Sequence, residues 1–241
     1  MTSPSPPPAA VHRAYQGWRS ALVLPAAEQT ECRNVNRLHQ LVLAGFRHPD
    51  LSTTVPTERP RFVLYAADRG PARPHTERHQ VASPPKAVVV QSPDQPDWRP
   101  LLDSGRLTQA NVFPVDYEYE LGQQVDIKII ANPSYRDTTT RRRLALTTVA
   151  ECGAWLSRRL AGQGVDVAPH HIQVGTRERI TGVKDGNHAI TVISRMFRAR
   201  GTVQSPETFH QALAQGLGPS KAYGCGLLLT KPIADEDWRP V

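Results

Sequence analysis

Hydrophobic and polar positions run through this chain in two successive rounds of one order. Trp18 to Leu24 alternates like a strand, and Asn34 to Phe46 brings Val35, Leu38, Val42 and Phe46 near one face of a helix, with Asn34 as its N-cap. Arg61 to Ala67 and Lys86 to Gln91 read as strands. Between them Asp68 to Pro85, crowded with Pro, Arg and His, reads as a long hairpin loop. Pro96 to Ser104 is a short helix that turns Trp98 and Leu101 or Leu102 inward, and Phe113 to Leu121 alternates like a strand. The first round is therefore β-α-β-β-α-β.

The second round repeats that order with different residues. Gln124 to Ala131 is a strand stopped at Asn132-Pro133, because proline cannot donate to a ladder. A basic loop follows. From Thr147 to Leu160 the positions of Val149, Cys152, Trp155, Leu156 and Leu160 have helical spacing, and Gly162 and Gly164 end the helix. His171 to Arg179 and His188 to Phe197 are strands around the turn Lys184-Asp185-Gly186-Asn187, where Asp-Gly is a hairpin signal. Ser205 to Gln215 is a short helix, and Cys225 to Thr230 is a nearly all-apolar buried strand. Two β-α-β-β-α-β rounds predict an α+β protein of two tandem ferredoxin-like domains. Residues 1–12 form a disordered proline-rich lead-in, 13–121 the N-terminal domain and 122–241 the C-terminal one. Ser52 to Pro60 and Arg69 to Pro85 are read as variable loops.

The 241 residues suffice for two domains of roughly 100 residues, each with its own core. No apolar run approaches the roughly 18 residues of a membrane span. Lys and Arg number 29 against 22 Asp and Glu, a net charge of +7 that favours a polyanionic partner. Cys32, Cys152 and Cys225, odd in number and without C-x-x-C spacing, argue against a disulfide framework and a thiolate zinc site, and fit a reducing cytoplasm. The start Met-Thr-Ser-Pro-Ser-Pro-Pro-Pro lacks the basic and apolar regions of a secretory signal. His170 and His171 are adjacent, face opposite ways if on a strand, and are assigned no metal.

The densest chemistry lies in Gly216-Leu217-Gly218-Pro219-Ser220-Lys221-Ala222-Tyr223-Gly224-Cys225-Gly226-Leu227-Leu228. Glycines between a helix and a buried strand let backbone amides approach an anion, and Lys221 adds positive charge. The same glycines equally serve a tight turn. Neither the triphosphate-binding nor the dinucleotide-binding spacing is present.

The stretch from Gly216 to Leu229 resembles the C-terminal glycine-rich loop of the CasE family, the CRISPR repeat-RNA endonucleases of the type I-E Cascade complex, within the RAMP superfamily. Leu38-His39-Gln40, Val88-Val89-Val90-Gln91-Ser92, Pro96-Asp97-Trp98, Ala131-Asn132-Pro133 and Trp155-Leu156-Ser157-Arg158-Arg159 match in the family's order, from about Trp18 onward. The resemblance implies two ferredoxin-like domains side by side. It also implies metal-independent, cofactor-free cleavage of the CRISPR precursor at the 3′ base of the repeat hairpin. There the 2′-OH attacks the adjacent phosphate and leaves a 2′,3′-cyclic phosphate. The product stays bound in Cascade, in the cytoplasm, and the protein free of Cascade is a monomer.

Such chemistry needs a base, an acid and positive charge for the phosphorane. His39 coincides with the family's catalytic histidine. The family often carries Tyr one helical turn earlier, where this chain has Asn36, which cannot transfer a proton. Asn36 orients the phosphate, or another phenol such as Tyr15 or Tyr223 assists, or His39 acts with substrate positioning alone. Lys221 is the candidate for electrostatic stabilisation. For RNA binding the candidates are Arg136, Arg141, Arg142 and Arg143 in the basic loop, Arg177, Arg179 and Lys184 on the predicted hairpin, and Gly216, Gly218, Ser220, Gly224 and Gly226. Arg158 and Arg159 read as solvated charges. The stacking segment of an RNA-recognition module is absent, so recognition is mainly of stem shape. Two other readings remain open: a repeat-RNA binder of the same fold that does not cut, and an enzyme for a small phosphorylated metabolite.

Overall fold

A computed structural model describes residues 14–46, 62–69, 80–184, 186 and 188–233. Its first sheet contains β1 (Tyr15–Val23), β2 (Leu64–Asp68), β4 (Ala87–Ser92) and β5 (Gln109–Tyr117), all antiparallel, in the order β2-β4-β1-β5. Helices α1 (Ala26–Glu31), α2 (Val35–Ala44) and α3 (Arg99–Asp103) connect these strands. The second sheet runs in the order β12-β6-β11-β10-β3. It is built from β6 (Gln124–Ala131), β10 (Ile172–Lys184), β11 (His188–Val203) and β12 (Leu228–Pro232). The two-residue β3 (Gln80–Val81) lies parallel to β10, and β9 (Val165–Asp166) pairs with β11. Helices α4 (Val149–Ala161) and α5 (Pro206–Gln215) belong to this half, and β7 (Ser134–Arg136) with β8 (Arg143–Ala145) forms a separate ribbon. In each half the first and third strands are central and the second and fourth flank them. No helix of the described residues is long and apolar enough to cross a membrane.

Periodicity explains most of the burial. Leu38, Leu41 and Val42 of α2 pack with Trp98 and Leu101 against Leu22, Tyr65, Val88 and Val90. Cys152, Trp155, Leu156 and Leu160 of α4, with Phe209 and Leu213 of α5, cover Val125, Ile127, Ile129 and Phe197. Each such large side chain contributes roughly 1.5–3 kcal/mol on burial. Thr148 caps α4 in a reciprocal box with Glu151, and the Asn34 side chain caps α2 by accepting from Asn36 N.

Several elements depart from the pattern. Helix α1 has no buried residue and no side-chain cap, so neither signal that marks a helix in sequence was present. The first strand begins at Tyr15, and β5 sits four residues earlier than the alternation placed it. Phe113 is 44% exposed on β5, an edge strand that packs through Ala110 and Val112 on one core and Val115 and Tyr117 on the other, and Leu121, 71% exposed, lies beyond the end of that strand. Val149 is 59% exposed at the outward first position of α4. Within the stretch read as a loop from Arg69 to Pro85, Arg69 is buried and donates to Ser83 O at 3.0 Å, and β3 joins the second sheet. The basic loop is the β7/β8 ribbon. His170 and His171 lie in a 3-10 turn and not on a strand, with ring centroids 4.2 Å apart. Cys225 is buried as expected, although β12 starts at Leu228 and its end is exposed. The lead-in 1–12, Arg61, Ser52 to Pro60, Asp185 and Asn187 lie outside the described residues.

Candidate active site

Helix α2 is the hinge of the arrangement, since its apolar residues serve both halves. Leu38, Leu41 and Val42 enter the first core, while Val35 packs with Ile180, Ile190, Val192 and Cys225 of the second half. The N-terminus of the helix is fastened to β10: Asn34 Oδ1 accepts from Val183 N at 3.1 Å, and Asn34 Nδ2 donates to Val183 O at 3.3 Å. Gly182 makes this approach possible, because a Cβ there would stand 2.5 Å from Asn34 Oδ1 and 3.0 Å from Val35 N. Lys184, at the end of β10, is thereby held beside the first turn of α2.

His39, half-buried, emerges where the two apolar sets meet. Its ring lies over Tyr65 with centroids 6.4 Å apart and planes at 22°, and it meets the Tyr223 ring edge-on, also at 6.4 Å. Tyr65 is fully enclosed and donates its hydroxyl to Ala222 O at 2.8 Å; burial pushes that phenol well above the usual tyrosine range. Tyr65 is thus a floor and a tether. Asn36 occupies the first turn, three residues before His39, on the same side of the helix. Of the phenols weighed from sequence, Tyr15 is buried in the other core, stacked on Tyr117, and only Tyr223 touches His39.

The glycine-rich loop supplies the opposite wall. Residues 221–223 form a 3-10 turn between Ser220 and Gly224, both left-handed. Gly226 has a φ of +95°, and a Cβ there would meet Leu217 O at 2.6 Å. A Cβ on Gly224, at φ +80°, would press on the Tyr65 ring at 3.1 Å. Amides of Gly216, Gly224 and Gly226 donate to Ala212 O, Lys221 O and Ile130 O, so these glycines shape the loop and do not offer their N–H groups to a ligand. Between these glycines runs the segment from Gly218 to Ala222, which carries Ser220 and Lys221. Asn132 Nδ2 donates to Ser220 Oγ at 2.9 Å and fixes that segment to the end of β6. Burial draws the Lys221 ammonium below the usual lysine range.

A cleft of about 400 Å³ leads away from this corner, lined by Asn132, Ser134, Arg143, His188, Ser220 and Tyr223 among others. The β7/β8 ribbon forms one bank. Arg136 pairs with Arg143 across it, Arg136 Nε donates to Arg141 O, and Arg141 and Arg142 stand exposed near its turn. Asp137 closes that turn by accepting from Thr140 N and Oγ1. Arg179 is exposed on β10, opposite Ile193 of the cleft. Arg177 is half-buried opposite Arg195, near Cys152 of α4, and does not line the cleft. Arg195 itself is structural: it donates to Gly175 O and Thr147 O. Arg159 lies over the Trp155 ring, 5.8 Å from its centroid. Tyr65, Ser134 and His188 were not singled out from sequence. They are ordinary strand residues, and only the tertiary arrangement distinguishes them.

The model of the family described as CRISPR associated protein matches residues 18–232. The CRISPR-associated endoribonuclease Cse3 of Thermus thermophilus is 36% identical over 160 residues, 61% of this chain and 74% of the relative. A structure of CRISPR endoribonuclease Cse3 bound to 19 nt RNA superposes with a TM-score of 0.73 at 27% identity, covering 91% of this chain and all of that one. Thermus thermophilus Cse3 bound to an RNA representing a pre-cleavage complex gives 0.71 at 29% identity, covering 90% and 100%. With the match running from β1 to the end of β12 and the same fold recurring in these structures, the chain belongs to the CRISPR associated protein family.

Proposed function

We propose that this chain is a CRISPR repeat-RNA endoribonuclease that cuts at the 3′ base of the repeat hairpin and retains the product as a Cascade subunit. The carrying observation is the corner where His39, from the first half, meets the Lys221–Tyr223 turn from the second, at the mouth of a cleft flanked by arginines. The relatives named endoribonuclease, and solved with RNA, support the reading.

In the reaction His39 takes the proton of the ribose 2′-OH, whose oxygen attacks the adjacent phosphorus. Imidazole can take up and release a proton under mild conditions, which suits it to this step. Lys221 places positive charge against the phosphorane oxygens, and Asn36 orients the phosphate by hydrogen bonding. The RNA stem rests along the ribbon, with Arg136, Arg141, Arg142 and Arg143 on its phosphates. Arg179 and Lys184 extend the basic track along β10, while Arg177 contributes from the side through its charge. Gly218 and Ser220 hold the phosphate nearest Lys221, and Gly216, Gly224 and Gly226 keep the turn in shape. The chemistry uses side chains alone, with no metal and no cofactor.

The strand orders support two tandem ferredoxin-like domains, 13–121 and 122–241 after a lead-in of 1–12. The three buried thiols suit a reducing cytoplasm, and the protein free of Cascade is a monomer. The test incubates the protein and His39→Ala with 5′-labelled repeat hairpin RNA in excess EDTA. One cut at the 3′ base of the stem, ending in a cyclic phosphate and lost in the variant, is expected. Tight binding by both proteins without a cut would recast the chain as a repeat-RNA holder.

A further inference from the structure

Internal transesterification of RNA needs two proton transfers, and His39 accounts for one. The 2′-O–P bond forms as the 2′-OH proton leaves. The P–O5′ bond breaks as its electron pair withdraws onto O5′, which then needs a proton to depart as a hydroxyl. A group already protonated at neutral pH is the suitable donor, and tyrosine phenols meet that requirement.

Among the described residues the rings of Tyr65 and Tyr223 meet His39, and their surroundings differ. Tyr65 is enclosed and its hydroxyl is committed to Ala222 O at 2.8 Å. Tyr223 is half-buried, meets the imidazole edge-on and lines the cleft together with Ser220, Arg143 and His188. Its position is well determined. Tyr223 N donates to Ser220 O, Ala222 is tied to Tyr65, and Cys225 behind it is fully buried. Asn36, on the helix side of His39, has no transferable proton of this kind. Lys221, the neighbouring cation in the same turn, is assigned above to the charge that builds on the phosphorane.

We propose that Tyr223 is the general acid of the cleavage, delivering its phenolic proton to the departing 5′-oxygen while His39 removes the 2′-OH proton. This rests on the nuclease reading and deepens it: the acid comes from the glycine-rich loop and not from the helix that carries the base. After the cut His39 is an imidazolium and Tyr223 a phenolate. The two rings are neighbours, so one proton passing between them, directly or through solvent, restores both.

The test compares wild type, Tyr223→Phe, His39→Ala and Lys221→Ala in single-turnover cleavage of a repeat hairpin RNA. The RNA is made in two forms, with the ordinary 5′-oxygen or with sulfur at the bridging 5′ position of the scissile phosphate. A 5′-thiolate leaves without protonation, so loss of an acid is repaired by the sulfur and loss of a base is not. On the ordinary RNA Tyr223→Phe is expected to slow cleavage by about 100-fold or more. Its RNA affinity and thermal midpoint stay near those of wild type, since the ring is retained. On the sulfur RNA it cleaves within about threefold of wild type, while His39→Ala remains slow. A Tyr223→Phe defect that persists on the sulfur RNA, or no defect on the ordinary one, overturns the assignment. Repair of Lys221→Ala in its place would give the acid to the lysine. If wild type itself does not cut the ordinary RNA, the nuclease reading has failed, a result distinct from failure of the Tyr223 role alone.

Discussion

Replacing Tyr65 by Phe removes one hydroxyl and almost nothing else. The ring that supports His39 and packs beside Gly224 stays; the bond from the hydroxyl to Ala222 O, 2.8 Å long, is lost. A neutral hydrogen bond contributes about 0.5–1.5 kcal/mol net. Ala222 is exposed, so water reaches the abandoned carbonyl and the loss sits near the middle of that range, at about 1 kcal/mol. Urea unfolding followed by tryptophan fluorescence should report that loss as a lower midpoint at unchanged slope. If the tether holds the 221–223 turn in its reactive place, cleavage at saturating RNA falls by up to about fivefold, the rate equivalent of the same energy. Loss of stability with unaltered cleavage would refute the tether. A fall of 100-fold or more would refute it from the other side, because it would make Tyr65 a reacting group.

Three further expectations rest on the same geometry. Gly182→Ala sets a Cβ against Asn34 Oδ1 and the backbone of Val35, and should cost about 1–3 kcal/mol by displacing the start of α2. Cleavage should fall more than RNA affinity, and equal losses would show that the α2/β10 junction does not position His39. Arg141, Arg142 and Arg143 changed together to Ala should flatten the dependence of log Kd on log salt by roughly 2–3 units if each meets a phosphate; an unchanged slope would place the stem elsewhere. Burial pushes the thiols of Cys32 and Cys225 up to about 12, so both stay neutral until pH rises toward that value. Neither should react with a thiol reagent at pH 8 in the native protein, and rapid labelling of Cys225 would mean that the loop opens.

Legibility in the sequence follows whether a residue's role is local or long-range. Helix α2 and strand β6 carry clean periods of 3.6 and 2 and were readable, and the β10/β11 hairpin was marked by its Asp-Gly turn although β10 shifts register between Val174 and Arg177. Helix α1 was not, because Ala26–Glu31 buries nothing and so leaves no pattern. Strand β3 exists only through its pairing with β10 across the two halves. His39, Lys221 and the arginine run were found through motif and charge. The choice between Tyr15 and Tyr223 was not available from spacing, since it depends on which ring reaches His39 after folding. The amides of Gly216, Gly224 and Gly226 likewise looked open to an anion until their internal acceptors were visible.

The proposed reactive corner joins residue 39 to residues 221–223, and its floor, Tyr65, is tied to residue 222. During synthesis the helix bearing His39 emerges long before the loop, at about 5–20 residues per second. A ribosome-bound chain that has not yet released residue 226 has neither the turn nor the Gly226 N–H to Ile130 O bond that seats it. On the proposed mechanism a nascent chain that lacks this turn has only half of the corner and is expected to be inactive. Chains stalled before Ser220 should cut no RNA, whereas cleavage by such stalled chains would place the chemistry outside the corner.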